Sequence, residues 1–243
     1  MKSFPPELED VLTPKGRKAL AGKVPELAGA LTRQGLAYGD GLLQEKFARA
    51  VPAFFEKHFT AFLQNRETRL LPAGLSAAGE IHKVMRCETC LSSSDGVLDR
   101  LQETGVLAFC QSASFLRLAE MLIDRPLAGP VSGQVLVNRA GDYAGPHIDS
   151  APQDPYAKDG YLDVHFTFST PGVKRQLLIY EQGGHLTGVR EMTGIGALTA
   201  YALPRWHYTT PLEVSRPKAS RWVLITGWVF HPNAPREFLR HAV

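Results

Sequence analysis

The stretch that decides how this chain reads is residues 135–149, VLVNRAGDYAGPHID. Val135, Leu136 and Val137 have the β-branched and apolar character of a short strand. Arg139-Ala140-Gly141-Asp142 interrupts it with turn chemistry, and Pro146-His147-Ile148-Asp149 follows. In an extended chain, residues i and i+2 point to the same side. His147 and Asp149 can therefore offer an imidazole nitrogen and a carboxylate oxygen to one centre. Two histidines and one carboxylate on one face of a metal form the donor set of non-haem Fe(II) sites, which leave other coordination positions open. His-x-Asp alone arises often by chance, so the reading needs a second histidine.

Outward from this stretch, the chain changes texture near Gly133. Short runs rich in β-branched and aromatic residues recur at 134–137, 164–168, 176–180, 197–201 and 222–230, separated by Gly, Pro and Asp clusters. That pattern predicts an antiparallel sandwich or barrel. Residues 1–126 read mostly as helix. Between 43 and 63, Phe47, Val51, Phe54, Phe55, Phe59 and Phe62 recur at helical steps and form a core face; Pro52 inside that run predicts a kink or two shorter helices. A second helix is expected over 112–123, capped by Ser112 or Ser114, with Phe115, Leu118, Ala119 and Leu122 buried and Pro126 as the stop. Residues 91–96, LSSSDG, are a loop by composition. No linker separates the parts, so one compact unit over 1–243 is expected, with 127–243 as its β-core.

The second histidine lies in residues 203–230, LPRWHYTTPLEVSRPKASRWVLITGWVF. His207 ends one β-like run, and Arg221 opens the next, fourteen residues later. With these residues in hand, the chain resembles the Fe(II)/2-oxoglutarate-dependent dioxygenases. Members of that superfamily carry His-x-Asp, a distal His on a late strand and a basic residue behind it. NRAGDYAGPHID is most similar to the prolyl-4-hydroxylase-like branch, with Gly141 six residues before His147 and Pro146 directly before it. The resemblance covers about residues 130–230 of the chain and implies a fold that is mainly β with α. Its core would be a double-stranded β-helix of jelly-roll or cupin-like type, with N-terminal helices packed on one sheet. It further implies that His147, Asp149 and His207 bind Fe(II), and that Arg221 holds the distal carboxylate of 2-oxoglutarate. O2 is then the other co-substrate, and the products are succinate, CO2 and a hydroxylated substrate. A planar guanidinium suits a carboxylate by two parallel hydrogen bonds. The alternative for Arg221 is a strand-edge arginine paired with a surface acid.

Other histidines compete for the third ligand position. His165 falls on the neighbouring strand, with Thr167 on the same face by parity; the pair would line the cofactor pocket, or His165 is a hydrogen-bonded core residue. His185 sits in a QGGH turn and should be exposed, while His231 follows a strand but has no suitably placed arginine on a strand behind it. His58 and His82 lie in the helical part. Cys87-Glu88-Thr89-Cys90 lacks the further ligands of a zinc site and is followed by a loop rather than a redox helix; these cysteines read as ordinary thiols.

The formal net charge of +3 is too mild to point to nucleic acid. Gly227 stands where the nucleic-acid demethylase relatives carry a second arginine, which points the same way. Asp149 fills the position that halogenating relatives leave to chloride, favouring hydroxylation. No apolar run approaches the roughly 18 residues of a membrane span. The opening MKSFPPELED turns acidic at once, unlike a signal peptide, and three cysteines form no even disulfide framework. A cytoplasmic enzyme is expected, acting on a small molecule such as a free amino acid, with no nucleic-acid or membrane partner; a homodimer is compatible with this. The rivals are a peptidyl hydroxylase and a non-oxidative cupin-like metalloprotein, which would have no use for Arg221.

Overall fold

A computed structural model describes residues 1–65, 85–92, 94–128, 130–148 and 160–230. Six helices are found among them: α1 (Pro14–Leu20), α2 (Glu26–Gln34), α3 (Glu45–Phe59), α4 (Val97–Glu103), α5 (Val106–Cys110) and α6 (Ala113–Ile123). The strands before the His-x-Asp motif are β1 (Leu36–Gly39), β2 (Gln64–Asn65), β3 (Met85–Arg86), β4 (Glu88–Leu91), β5 (Pro130–Asn138) and β6 (Tyr143–Ala144). Those after it begin with β7 (Tyr161–Ser169), β8 (Val173–Arg175), β9 (Leu177–Gln182) and β10 (His185–Glu191). The series ends with β11 (Ala197–Leu203), β12 (His207–Thr209), β13 (Glu213–Val214) and β14 (Arg221–Val229).

A seven-stranded antiparallel sheet runs β1-β11-β7-β14-β5-β4-β2, opposed by a three-stranded sheet β10-β9-β12. The larger sheet has two chemically distinct faces, written by strand parity. On β7, Leu162, Val164, Phe166 and Phe168 join the helices in one apolar core, together with Trp222, Leu224 and Trp228 of β14. Phe55 is fully buried at the centre of this layer, in ring contact with Phe4, Phe59, Phe168 and Trp222. The opposite face carries Asp163, His165 and Thr167 of β7, with Thr199 and Tyr201 of β11 beside them in register. This inner face meets the smaller sheet, where Leu36, Leu178, Tyr180, Met192, Tyr201 and Leu203 form a second cluster. Gly188 is the one buried position of β10: a Cβ there would stand 2.5 Å from the Tyr180 ring, so only glycine lets that ring lie against the strand.

Several local expectations meet a different outcome. Pro52 does not divide its helix; α3 continues through it, with Pro52 itself buried. Ser112 is the cap of α6, accepting from the Phe115 amide at 3.2 Å. The helix ends at Ile123, three residues before Pro126, and is capped by Asp124, whose φ of 53° is left-handed. The N-terminal part is less purely helical than expected, because β1, β2 and β4 all enter the large sheet. These strands are two to four residues long, too short for periodicity to register. Val106–Ile123 does form an 18-residue window with mean hydropathy 1.5, against the expectation that no such run exists. It is broken into α5 and α6 at Gln111, and Phe109, Phe115, Leu118 and Leu122 are buried in the core.

Candidate functional site

The two histidines singled out in the sequence come together. His147 and His207 form an antiparallel bridge, exchanging backbone hydrogen bonds of 3.0 and 2.9 Å. This bridge adds His147 to the edge of the smaller sheet, beside β12. Their ring centroids stand 4.3 Å apart, and both residues are buried. Each ring is held by the carbonyl two residues before it: Nδ1 of His147 lies 2.6 Å from the Gly145 oxygen, and Nδ1 of His207 lies 2.8 Å from the Arg205 oxygen. A carbonyl can only accept, so Nδ1 carries a proton in both rings, and the neutral form of each ring has its lone pair on Nε2. A fixed tautomer with Nε2 as donor atom is the arrangement of metal-ligating imidazoles. Asp149 lies outside the described residues, as do His82 and His231. Among the described residues, no group of three His, Cys, Asp or Glu is placed to hold a metal.

The turn leading to His147 is locked from within. Asp142 accepts from the Arg139 amide at 2.7 Å and pairs with Arg86 at 3.2 Å, while Gly141 adopts φ 81°. Burial raises the Asp142 carboxyl above its ordinary value, against the lowering effect of the Arg139 amide. The Asp142 carbonyl in turn accepts from Nε2 of Gln176 at 3.1 Å. Gln176 is fully buried; its Nε2 also reaches the Thr210 carbonyl at 3.0 Å, and its Oε1 accepts from Nη1 of Arg221 at 3.1 Å. One side chain therefore ties the turn before His147 to the arginine on β14.

Arg221 is buried on the inner face, 4% exposed. Nε donates to the Met192 carbonyl at 2.9 Å and Nη2 to Thr167 Oγ1 at 3.3 Å. With the bond to Gln176, three of the five guanidinium N–H groups are used, and every acceptor is neutral. Burial pushes the guanidinium down to about 10, so it stays charged at neutral pH. The surface-arginine alternative is thus set aside: this is a desolvated cation with no carboxylate bonded to it among the described residues. Such a group needs an anion.

Thr167 lies on this face, as parity predicts, and touches Arg221. His165 lies two residues along the same strand, its ring 4.8 Å from that of Tyr201, which in turn stands 5.4 Å from the ring of His207. His165 is thus on the inner face beside the histidine pair. His185 opens β10 and is exposed, and His58 packs on Phe54 in the helical layer at 4.6 Å. The three cysteines are buried and joined in no disulfide, and burial raises Cys90 and Cys110 to about 12, consistent with inert thiols. Sequence reasoning missed Gln176, Tyr201 and Asp163. Asp163 and Tyr201 are polar groups at inward parity positions of β7 and β11, a signal that could be read only once the strands' facing was known, and Gln176 lies between β8 and β9.

No family model matches the chain, and no curated protein matches it in sequence. Solved structures do match. The α-ketoglutarate-dependent epimerase SnoN of nogalamycin biosynthesis superposes with TM-score 0.58 at 13% identity, covering 88% of this chain and 84% of that one. An oxidoreductase of the 2OG-Fe(II) oxygenase family from Burkholderia pseudomallei gives 0.57 at 14%, covering 87% and 92%. A prolyl hydroxylase from Trichoplax adhaerens, in complex with a peptide fragment of hypoxia inducible factor, gives 0.53 at 13%, covering 93% of each chain. With the paired sheets and the bridge between His147 and His207, the chain has the double-stranded β-helix fold of the non-haem Fe(II)/2-oxoglutarate oxygenases.

Proposed function

We propose that this chain is an Fe(II)- and 2-oxoglutarate-dependent oxygenase that hydroxylates an unactivated C–H bond of a small molecule. In this reading His147, Asp149 and His207 hold the iron, and Arg221 with Thr167 receives the distal carboxylate of 2-oxoglutarate. The observation that carries it is the buried guanidinium without a carboxylate partner among the described residues, on the same inner face as two tautomer-fixed histidines. Bound iron would supply the oxidation of the C–H bond by O2, with conversion of 2-oxoglutarate to succinate and CO2. The protein's own residues do the rest. Gly145 and Arg205 carbonyls aim the imidazoles, Gln176 holds the guanidinium in place, and the apolar cluster around Tyr180 and Met192 keeps water from the interior. A buried cation also favours a dicarboxylate over a monocarboxylate as the 2-oxo acid, which a cupin-like binding protein would not require.

The outcome at the substrate carbon is the finer part of the proposal, since one fold neighbour is an epimerase. The neighbour seen with a peptide supports a second reading, hydroxylation of a residue within a polypeptide. The decisive experiment is anaerobic addition of 2-oxoglutarate to the Fe(II)-loaded protein. Chelation by the 2-oxo acid is expected to produce a visible charge-transfer band, and admission of O2 to release succinate. Absence of both would remove the oxygenase reading. Mass spectrometry of candidate small molecules and peptides then separates a gain of one oxygen from isomerisation.

A further inference from the structure

We propose that Asp163 is a substrate-recognition residue, and that the group it recognises is a cationic nitrogen, so that the substrate is an amine or carries a basic side chain. This rests on the oxygenase reading above. Asp163 is 8% exposed and points to the inner face, directly opposite Tyr201 on one side and Gly227 on the other. Its Oδ1 is buried with no hydrogen-bond partner among the described residues. The nearest basic atom among the described residues is Nε2 of His165, 3.8 Å from Oδ2 and beyond hydrogen-bond distance. A buried carboxylate oxygen with no donor is a deficit that a ligand can fill.

Position along β7 says which ligand. Thr167 touches Arg221, and Asp163 lies four residues away on the same face. At roughly 3.4 Å per residue that is about 13 Å. The four C–C bonds of a five-carbon dicarboxylate, about 1.5 Å each, span no more than about 6 Å. A 2-oxo acid anchored on Arg221 therefore cannot reach Asp163. Between them lies His165, in ring contact with Tyr201, which stands opposite Asp163 and is itself in ring contact with His207. Asp163 thus lies toward the histidine end of the inner face and away from Arg221, in the part of the interior left to the substrate. Gly227 adds to this by placing no side chain beside the carboxylate on β14. Arg221 and Asp163 give the two ends of the inner face opposite charges, one suited to an acid and the other to a base.

The test uses the protein loaded anaerobically with Fe(II) and 2-oxoglutarate. Binding of benzylamine and cadaverine is measured by calorimetry against their neutral counterparts, benzyl alcohol and 1,5-pentanediol. The wild type is expected to bind each amine at least about tenfold more tightly than its alcohol. Asp163→Asn should abolish that preference while keeping full iron content and the charge-transfer band. Equal binding of amine and alcohol by the wild type overturns the proposal, and this comparison needs no variant to fold. Retained preference in Asp163→Asn also overturns it, as does loss of iron or of the band, which would place Asp163 in the metal site. Absence of the band in the wild type, by contrast, counts against the oxygenase reading, while the calorimetric preference still decides for or against Asp163.

Discussion

Replacing Arg221 by Met separates what the guanidinium does for the fold from what it does for a ligand. Burial lowers Arg221 from its ordinary value to about 10, which corresponds to roughly 3 kcal/mol disfavouring the charged form at neutral pH. The native state therefore carries this strain at all pH values below about 10, and it is relieved only as the pH rises beyond that. Methionine removes the strain but strands the Met192 carbonyl and Gln176 Oε1, each of which loses its donor. A stranded buried acceptor costs about 1–3 kcal/mol, so the two effects offset and the unliganded stability should change by no more than a couple of kcal/mol. Ligand recognition has no such compensation. A charge-assisted bidentate pair contributes roughly 3 kcal/mol, about a hundredfold in affinity. The assay compares 2-oxoglutarate with 2-oxobutanoate, which lacks the distal carboxylate, by titrating the charge-transfer band of the anaerobic Fe(II) protein. Wild type should prefer the dicarboxylate by about a hundredfold; Arg221→Met should bind both about equally, with 2-oxobutanoate affinity and iron content unchanged. A variant that still prefers 2-oxoglutarate would refute the role given to Arg221.

Three further outcomes are expected. His207→Ala should lower iron content sharply, measured by elemental analysis after desalting, whereas His185→Ala, altering an exposed residue, should retain it; the opposite pattern would exchange their roles. Phe55→Ala should destabilise the protein by about 3–5 kcal/mol in urea unfolding, since this fully buried ring contacts Phe4, Phe59, Phe168 and Trp222. Cys90 and Cys110, raised to about 12 by burial, should resist thiol-disulfide reagents at pH 8 until denaturant is added; rapid labelling of both in the native protein would contradict their placement.

How far the fold was legible depended on strand length and on which face carried the apolar residues. The runs at 164–168, 197–201 and 222–230 fall within or beside β7, β11 and β14, central strands buried on both faces whose apolar character is continuous. β10 escaped notice because six of its seven residues are exposed and its inward position is glycine. β1 escaped because four residues, Leu36–Gly39, follow a helix and carry no alternation of their own. In the site, His147 and His207 were legible because metal chemistry restricts ligands to few residue types, and their pairing is the backbone bridge. Gln176 was not, since its role comes from three partners at distances of 34 to 45 residues in sequence. No local pattern encodes such a tie.

The nine residues of β7, YLDVHFTFS, hold the logic of the molecule in one strand. Leu162, Val164, Phe166 and Phe168 point to the helices and supply packing; Asp163, His165, Thr167 and Ser169 point inward and supply chemistry. A slip of one residue would exchange the two sets, so the same apolar side chains that stabilise the core also fix which polar groups face the interior. That inward set is not what stability alone would select. Among the described residues, Asp163 Oδ1 and Ser169 Oγ are buried without hydrogen-bond partners, and Arg221, opposite Ser169 in register, is a buried cation bonded only to neutral acceptors. Buried groups of this kind destabilise a protein that has nothing to bind. Their concentration on one face, while the other face of the same strand is uniformly apolar, is explained if the partners they lack are supplied by ligands: an acid at the Arg221 end and a base at the Asp163 end.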